Sequence, residues 1–164
     1  MRFFLLDRVV ELVPQSSVHA IKAWTLSEDY FTQHFPGFPI VPGVLLTESM
    51  AQATGLLLEK SHQARFGAQQ EAVFAILSIV HRAKFKGFVR PGDQAVVKAT
   101  MESLDVNSGA GHAKVFVDGE MRAEAEMLFR LFPESLAGAN LSRLREYRAE
   151  YHSILMQPAD GKLL

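Results

Sequence analysis

The sequence predicts an α+β protein: one long buried helix wrapped by a curved antiparallel sheet, with a helical extension at the C-terminus. Three observations predict it. Val44 to Lys60 is free of proline, holds one glycine and is apolar around its whole circumference, as a helix enclosed by the rest of a domain must be. Strand-like apolar runs lie on both sides of it, two before and several after, separated by short turn sequences. Beyond Pro133 the pattern changes to a loop over 133–140, then to Leu141, Leu144, Tyr147, Tyr151 and Leu155, an apolar stripe at helical spacing. The expected division is a body over residues 1–132 and a loop with an amphipathic helix over 133–164, docked on the body or on a neighbouring subunit.

In chain order, residues 2–13 are rich in Phe, Leu and Val and read as a strand. Pro14-Gln15-Ser16 turns the chain into a partner strand over 16–24. Residues 31–43 carry Pro36-Gly37, Pro39 and Pro42-Gly43, a density of proline that excludes helix interior and central strand and predicts a rigid, irregular segment. The helix over Val44 to Lys60 follows, and a polar break at 61–71 ends it. Strands are expected over 73–81 and 83–90, with Pro91-Gly92-Asp93 as a turn, and then over 94–103 and 112–117. Val117-Asp118-Gly119-Glu120 predicts a hairpin into a last strand running to about residue 132. Trp24 and the phenylalanines read as core.

Composition removes several function classes. The chain has 164 residues, 48% hydrophobic and 21% charged, with a formal net charge of −1, so no overall basic field points to nucleic acid. The absence of cysteine removes disulfides, thiol nucleophiles and thiolate metal sites. The apolar N-terminal run breaks at Asp7, too early for a signal peptide, and Glu48 and Gln52 interrupt the stretch from Val44 to Leu58, too short to span a bilayer. A cytoplasmic protein without a membrane span is the expectation. His19, His62, His81, His112 and His152 lack metal-ligand spacing and read as surface or strand residues. Ser49 has no flanking glycines of a nucleophile elbow.

The stretch from His34 to Leu45 carries the chemistry. It places a histidine on a rigid loop that feeds a buried helix, with Gly37 and Gly43 allowing close approach of the backbone. Gly43 stands where the helix begins, so its N–H is a free donor at the positive end of the helix dipole, suited to a carbonyl oxygen gaining charge. Glu48 follows in a helix almost without charge, and burial of a carboxyl favours the protonated form a general acid needs. Gln52 lies four residues later on the same face and can orient it. On the residues alone a structural pair, with Glu48 reaching solvent at an interface and His34 capping a turn, stands beside the catalytic one.

His34-Phe35-Pro36-Gly37, Pro42-Gly43-Val44-Leu45 and Glu48-Ser-Met-Ala-Gln52-Ala-Thr-Gly55 together closely resemble the β-hydroxyacyl-acyl carrier protein dehydratases of the FabZ type. Leu5-Leu6-Asp7-Arg8-Val9, Ala83-Lys84-Phe85-Lys86, Pro91-Gly92-Asp93-Gln94 and Val117-Asp118-Gly119 extend the resemblance over roughly residues 3–131. It implies a hot-dog fold, a homodimer at least with a trimer of dimers as the larger form, and an active site shared between protomers. It further implies that His34 removes the C2 proton of a 3-hydroxyacyl thioester carried on acyl carrier protein. Gly43 would hold the thioester oxygen, and Glu48 would protonate or orient the departing hydroxyl. Phe35, Pro36, Gly37, Val44 and Gln52 would border the substrate, and no metal or redox cofactor is implied.

The chain departs from the family pattern in four places. The segment ahead of the first strand lacks a His-Arg-Tyr-Pro motif, Phe85-Lys86-Gly87-Phe88-Val89 replaces Phe-Lys-Arg-Pro-Val, Ala75-Ile76-Leu77 occupy the gating aromatic positions with Phe74 nearby, and the C-terminal extension is added. Arg82, Lys84 and Lys86 alternate on one strand face. They read either as a solvated edge or as a basic rim that meets the acidic carrier protein. Two rivals remain at this level: a hot-dog thioesterase, and a non-catalytic acyl-binding or assembly subunit.

Overall fold

A computed structural model describes residues 3–157. The elements run β1 (Arg8–Val13), β2 (Ser17–Ala23), α1 (Gly43–Phe66), β3 (Val73–Phe85), β4 (Gln94–Leu104), β5 (Ser108–Val117), β6 (Glu120–Pro133) and α2 (Leu141–Leu155). Single 3-10 segments at Asp29–Thr32 and Glu134–Asn140 join them. The six strands form one antiparallel sheet in the order β1-β2-β4-β5-β6-β3. β3, the first strand after the helix, is thus sent to the far edge, where it pairs with β6.

The sheet wraps α1 because its inner positions are small. Val18, Ala99, Ala113 and Ala125 lie opposite one another across β2, β4, β5 and β6, and all are essentially fully buried. The helix packs tightly against the two glycines of β5. A Cβ on Gly109 would stand 2.6 Å from Leu58 Cδ2, and one on Gly111 would stand 2.7 Å from Thr54 Cγ2 and 2.8 Å from the Thr100 carbonyl oxygen. Met50, Leu57 and Leu58 fill the concave face, and Trp24 is buried beside them as core.

Several boundaries differ from expectation, each for a physical reason. The first strand begins at Arg8, not at residue 2, because Leu5 and Leu6 are buried against the body and the Leu5 N–H donates to Gln52 of α1 at 2.9 Å. The helix continues to Phe66 through the polar-looking break. Ser61 is buried and its hydroxyl accepts the Gln15 N–H at 2.7 Å, and His62 is buried on the same helix. The strands expected over 73–81 and 83–90 are one strand, β3, kept in register with β6 by bulges at Leu77/Ile79 and Val80/Arg82 and ending at Phe85. The loop expected over 133–140 is a 3-10 segment with a left-handed Gly138 (φ 55°). His19, His81 and His112 lie on strands as expected, whereas His62 is in the core and His152 is half-buried on α2.

α2 docks on the body. Arg148 donates to Glu59 of α1 at 2.7 Å and to Glu134 at 2.5 Å, Arg145 adds a second contact to Glu134 at 2.8 Å, and Leu155 is fully buried. Among the described residues, no helix is long and apolar enough to cross a membrane.

Candidate active site

The loop before α1 is built as a small closed hairpin. Phe35 and Phe38 exchange both backbone hydrogen bonds, at 3.1 and 2.9 Å, around Pro36 and a Gly37 with φ 77°. Proline followed by a left-handed glycine is what a type II turn requires. Below it the Ile40 N–H donates to the His34 carbonyl at 2.9 Å, the His34 N–H donates to Tyr30, and the Val41 N–H donates to Val89 at 2.8 Å. Phe38 meets Phe88 edge to face at 5.4 Å and lies under the Arg90 guanidinium.

That scaffold fixes His34, which is half-buried with its ring stacked on exposed Phe35 at 4.3 Å. His34 Nδ1 lies 3.0 Å from the Ile40 carbonyl oxygen. A carbonyl only accepts, so Nδ1 carries the proton, and Nε2 of the neutral ring presents its lone pair.

Gly43 opens α1, and its N–H has no acceptor among the described residues. A Cβ at Gly43 would stand 3.0 Å from the Phe85 ring, so glycine is what lets β3 close on the helix start. Val44, next along, is 73% exposed and unclaimed by the core. One turn on, half-buried Glu48 accepts at Oε1 from Gln52 Nε2 at 3.0 Å.

Glu48, Gln52, Gly55 and Glu59 share one face of α1 and line a cavity of about 290 Å³. Phe74 to Leu77 of β3 and Phe129 of β6 form its apolar wall, and Leu144, Tyr147, Arg148, Tyr151 and His152 of α2 form the other side. His34 is not among the lining residues. The structure thus brings Glu48 and Gln52 together in one cavity, while His34 stands on a separate loop of the same protomer.

The family model for the FabA-like domain matches residues 1–126. The chain belongs to this family. A 3-hydroxyacyl-[acyl-carrier-protein] dehydratase FabZ of Oenococcus oeni is 39% identical over 76% of this chain and 86% of that protein. The protein of the same name in Vibrio parahaemolyticus is 43% identical over 76% and 81%. Among solved structures, smu.793 of Streptococcus mutans, bound to acetyl CoA, matches with a TM-score of 0.61 at 11% identity over 81% of this chain and 94% of that one. The dehydratase heterocomplex ApeI:P of Xenorhabdus doucetiae matches with a TM-score of 0.53 at 15% identity over 76% and 97%. The fold is the hot-dog fold.

On this FabA-like chain the three basic residues lie at the exposed end of the sheet. Arg82 and Lys84 are on edge strand β3, and Lys86 lies just beyond it. Lys86 Nζ is 2.9 Å and Lys84 Nζ 3.9 Å from Glu124 Oε1. The Lys86 hydrogen bond holds the Glu124 carboxyl below the ordinary carboxylate range.

Sequence reasoning did not reach the α2 wall of the cavity. Its one visible signal was hydroxyl-bearing Tyr147 and Tyr151 within the apolar stripe. Burial in that wall pushes the Tyr151 hydroxyl well above its ordinary pKa, helped by Tyr147 and Glu48. Burial likewise raises the Glu59 carboxyl, with Arg148 opposing it.

Proposed function

We propose that this chain dehydrates (3R)-3-hydroxyacyl thioesters carried on acyl carrier protein to trans-2-enoyl thioesters, in fatty-acid or related acyl-chain synthesis. The observation that carries the reading is the committed state of the two polar groups. His34 gives Nδ1 to Ile40 and keeps Nε2 as a base, while Glu48 gives Oε1 to Gln52 and keeps Oε2 for a proton. A base and an acid of that kind are what removal of water from adjacent carbons needs. The FabZ dehydratases to which the chain is similar support the same reaction.

In this mechanism Nε2 of His34 takes the C2 proton, which the thioester carbonyl acidifies. The Gly43 N–H, at the helix N-terminus, receives the thioester oxygen as charge develops on it. The electron pair then forms the C2–C3 double bond, and Glu48 Oε2 protonates the departing C3 hydroxyl, which leaves as water. Phe35, Pro36 and Gly37 border the substrate on the histidine side, and Val44 and Gln52 on the helix side.

His34 of one protomer serves Glu48 of its partner, so the functional unit is a homodimer at least, with a trimer of dimers as the larger form. Edge strand β3 supports this, since among the described residues it has no strand on its outer side, and it exposes Ile76, Ile79, Val80 and Phe85. An apolar open edge of this kind calls for a partner. Arg82, Lys84 and Lys86 meet the acidic carrier protein. Residues 1–132 form the catalytic body and 133–164 its extension, and the protein works in the cytoplasm.

The test is incubation with 3-hydroxyacyl and trans-2-enoyl thioesters, following enoyl absorbance and free thiol. Reversible hydration without thiol release is expected. Thiol release identifies a thioesterase, and no turnover of either substrate identifies a binding subunit.

A further inference from the structure

Gln52 is where three parts of the chain meet. Its Oε1 accepts from the Leu5 N–H and from the Tyr151 hydroxyl, each at 2.9 Å. Its Nε2 donates to the Phe3 carbonyl and to Glu48 Oε1, each at 3.0 Å. A backbone N–H can only donate and a backbone carbonyl can only accept, so Leu5 and Phe3 together permit a single orientation of the amide. Nε2 must then face Glu48, and the proton of a neutral Glu48 must sit on Oε2.

The fourth partner comes from α2, beyond the residues the FabA-like model matches. Tyr151 is held there by stacking on Phe4, with ring centroids 4.3 Å apart and planes at 16°. Arg148, one turn earlier, ties the same helix to Glu59 of α1 at 2.7 Å. The hydroxyl is therefore delivered to Gln52 by a helix anchored on both sides. A phenol in that environment stays protonated and keeps donating.

We propose that Tyr151 is a positioning residue for the dehydration: its hydroxyl reinforces the Gln52 amide in the orientation that Leu5 and Phe3 set, and the amide fixes which oxygen of Glu48 handles the proton. This rests on the dehydratase reading for its catalytic meaning but not for its geometry. The extension is then part of the active-site machinery, acting on the carboxyl from behind without touching the reacting atoms.

The test compares wild type, Tyr151→Phe, Gln52→Ala and the double variant in hydration of a short trans-2-enoyl pantetheine thioester. Tyr151→Phe keeps the stack on Phe4 and removes one hydrogen bond. We expect kcat to fall about 3- to 10-fold with KM little changed, the scale of one lost hydrogen bond. In the Gln52→Ala background the same substitution should have no further effect, because Tyr151 acts only through Gln52. An unchanged kcat, or equal losses in both backgrounds, overturns the proposal.

A second measurement needs no turnover and no Gln52 variant. The NMR resonances of the Gln52 side-chain amide and the Glu48 carboxyl carbon should both move in Tyr151→Phe. If they stay in place, Tyr151 does not position Glu48. If wild type turns over neither thioester, the dehydratase reading falls, and these resonances alone still decide whether the coupling exists.

Discussion

The Ile40 N–H donates to the His34 carbonyl at 2.9 Å, and the Ile40 carbonyl accepts from His34 Nδ1 at 3.0 Å. One residue thus grips both the backbone and the ring of the histidine, so the main chain selects the tautomer. His34→Ala should lower kcat for enoyl thioester hydration by about 10²- to 10⁴-fold, the range for loss of a positioned base. Circular dichroism should be unchanged, since the ring buries little of the core. A residual rate within a few-fold of wild type would remove His34 from the mechanism.

Glu48→Gln keeps an acceptor for Gln52 and removes the transferable proton. It should be about as inactive as His34→Ala. Mixing the two inactive variants under conditions that exchange subunits should restore about a quarter of wild-type activity, because half the dimers are mixed and each carries one intact composite site. No recovery would mean that each protomer holds its own site.

Charge reversal at Lys84 and Lys86 should raise KM for a carrier-linked substrate while leaving a short carrier-free thioester unaffected. Both lysines neighbour Glu124, so part of their charge is already answered within the chain. Equal losses on both substrates would show that these lysines serve the sheet edge instead.

The helix and the loop were legible because their signals are local. Pro36-Gly37 encodes the turn, Gly43 marks the helix start, and the circumference of α1 reads as enclosed. The end of α1 was hidden because Ser61 and His62 are polar residues in a buried place, which composition assigns to the surface. β3 was split because two bulges break its alternation, and a bulge leaves no sequence mark until the partner strand is known. The α2 wall was illegible for a different reason. Tyr151 and Gln52 are 99 residues apart, and nothing in either segment names the other.

Gly111→Ala tests the contact between helix and sheet. The added Cβ would meet Thr54 Cγ2 of α1 at 2.7 Å and the backbone oxygen of Thr100 on β4 at 2.8 Å, and backbone cannot yield cheaply. Overpacking of this kind costs about 1–3 kcal/mol. Thermal unfolding should show a midpoint lowered by roughly 3–10 °C. An unchanged midpoint would mean that β5 has more room against α1 and β4 than described.

His152 predicts a pH dependence of stability. Burial, with the charges of Lys60 and Arg148, lowers its pKa from the ordinary 6.5 to about 4. The folded state therefore binds fewer protons than the unfolded one between those values, so stability is full above pH 6.5 and is lost as pH falls toward 4. The side chain is 21% exposed, and the contribution is about 2 kcal/mol. Denaturant titrations of His152→Gln should show that much less loss between pH 7 and pH 4.5. Parallel curves for the two proteins would contradict the assignment.

The stack of Phe4 on Tyr151 places the beginning and the end of the described chain side by side. Segments that lie side by side in this way can be linked there and the chain reopened elsewhere. The hairpin at Asp118-Gly119, which lies far along the sequence from Gln52, offers such an opening. A circular permutant cut there would make the N-terminal segment and the last helix one continuous piece, so that two of the three parts holding Gln52 would be synthesised together.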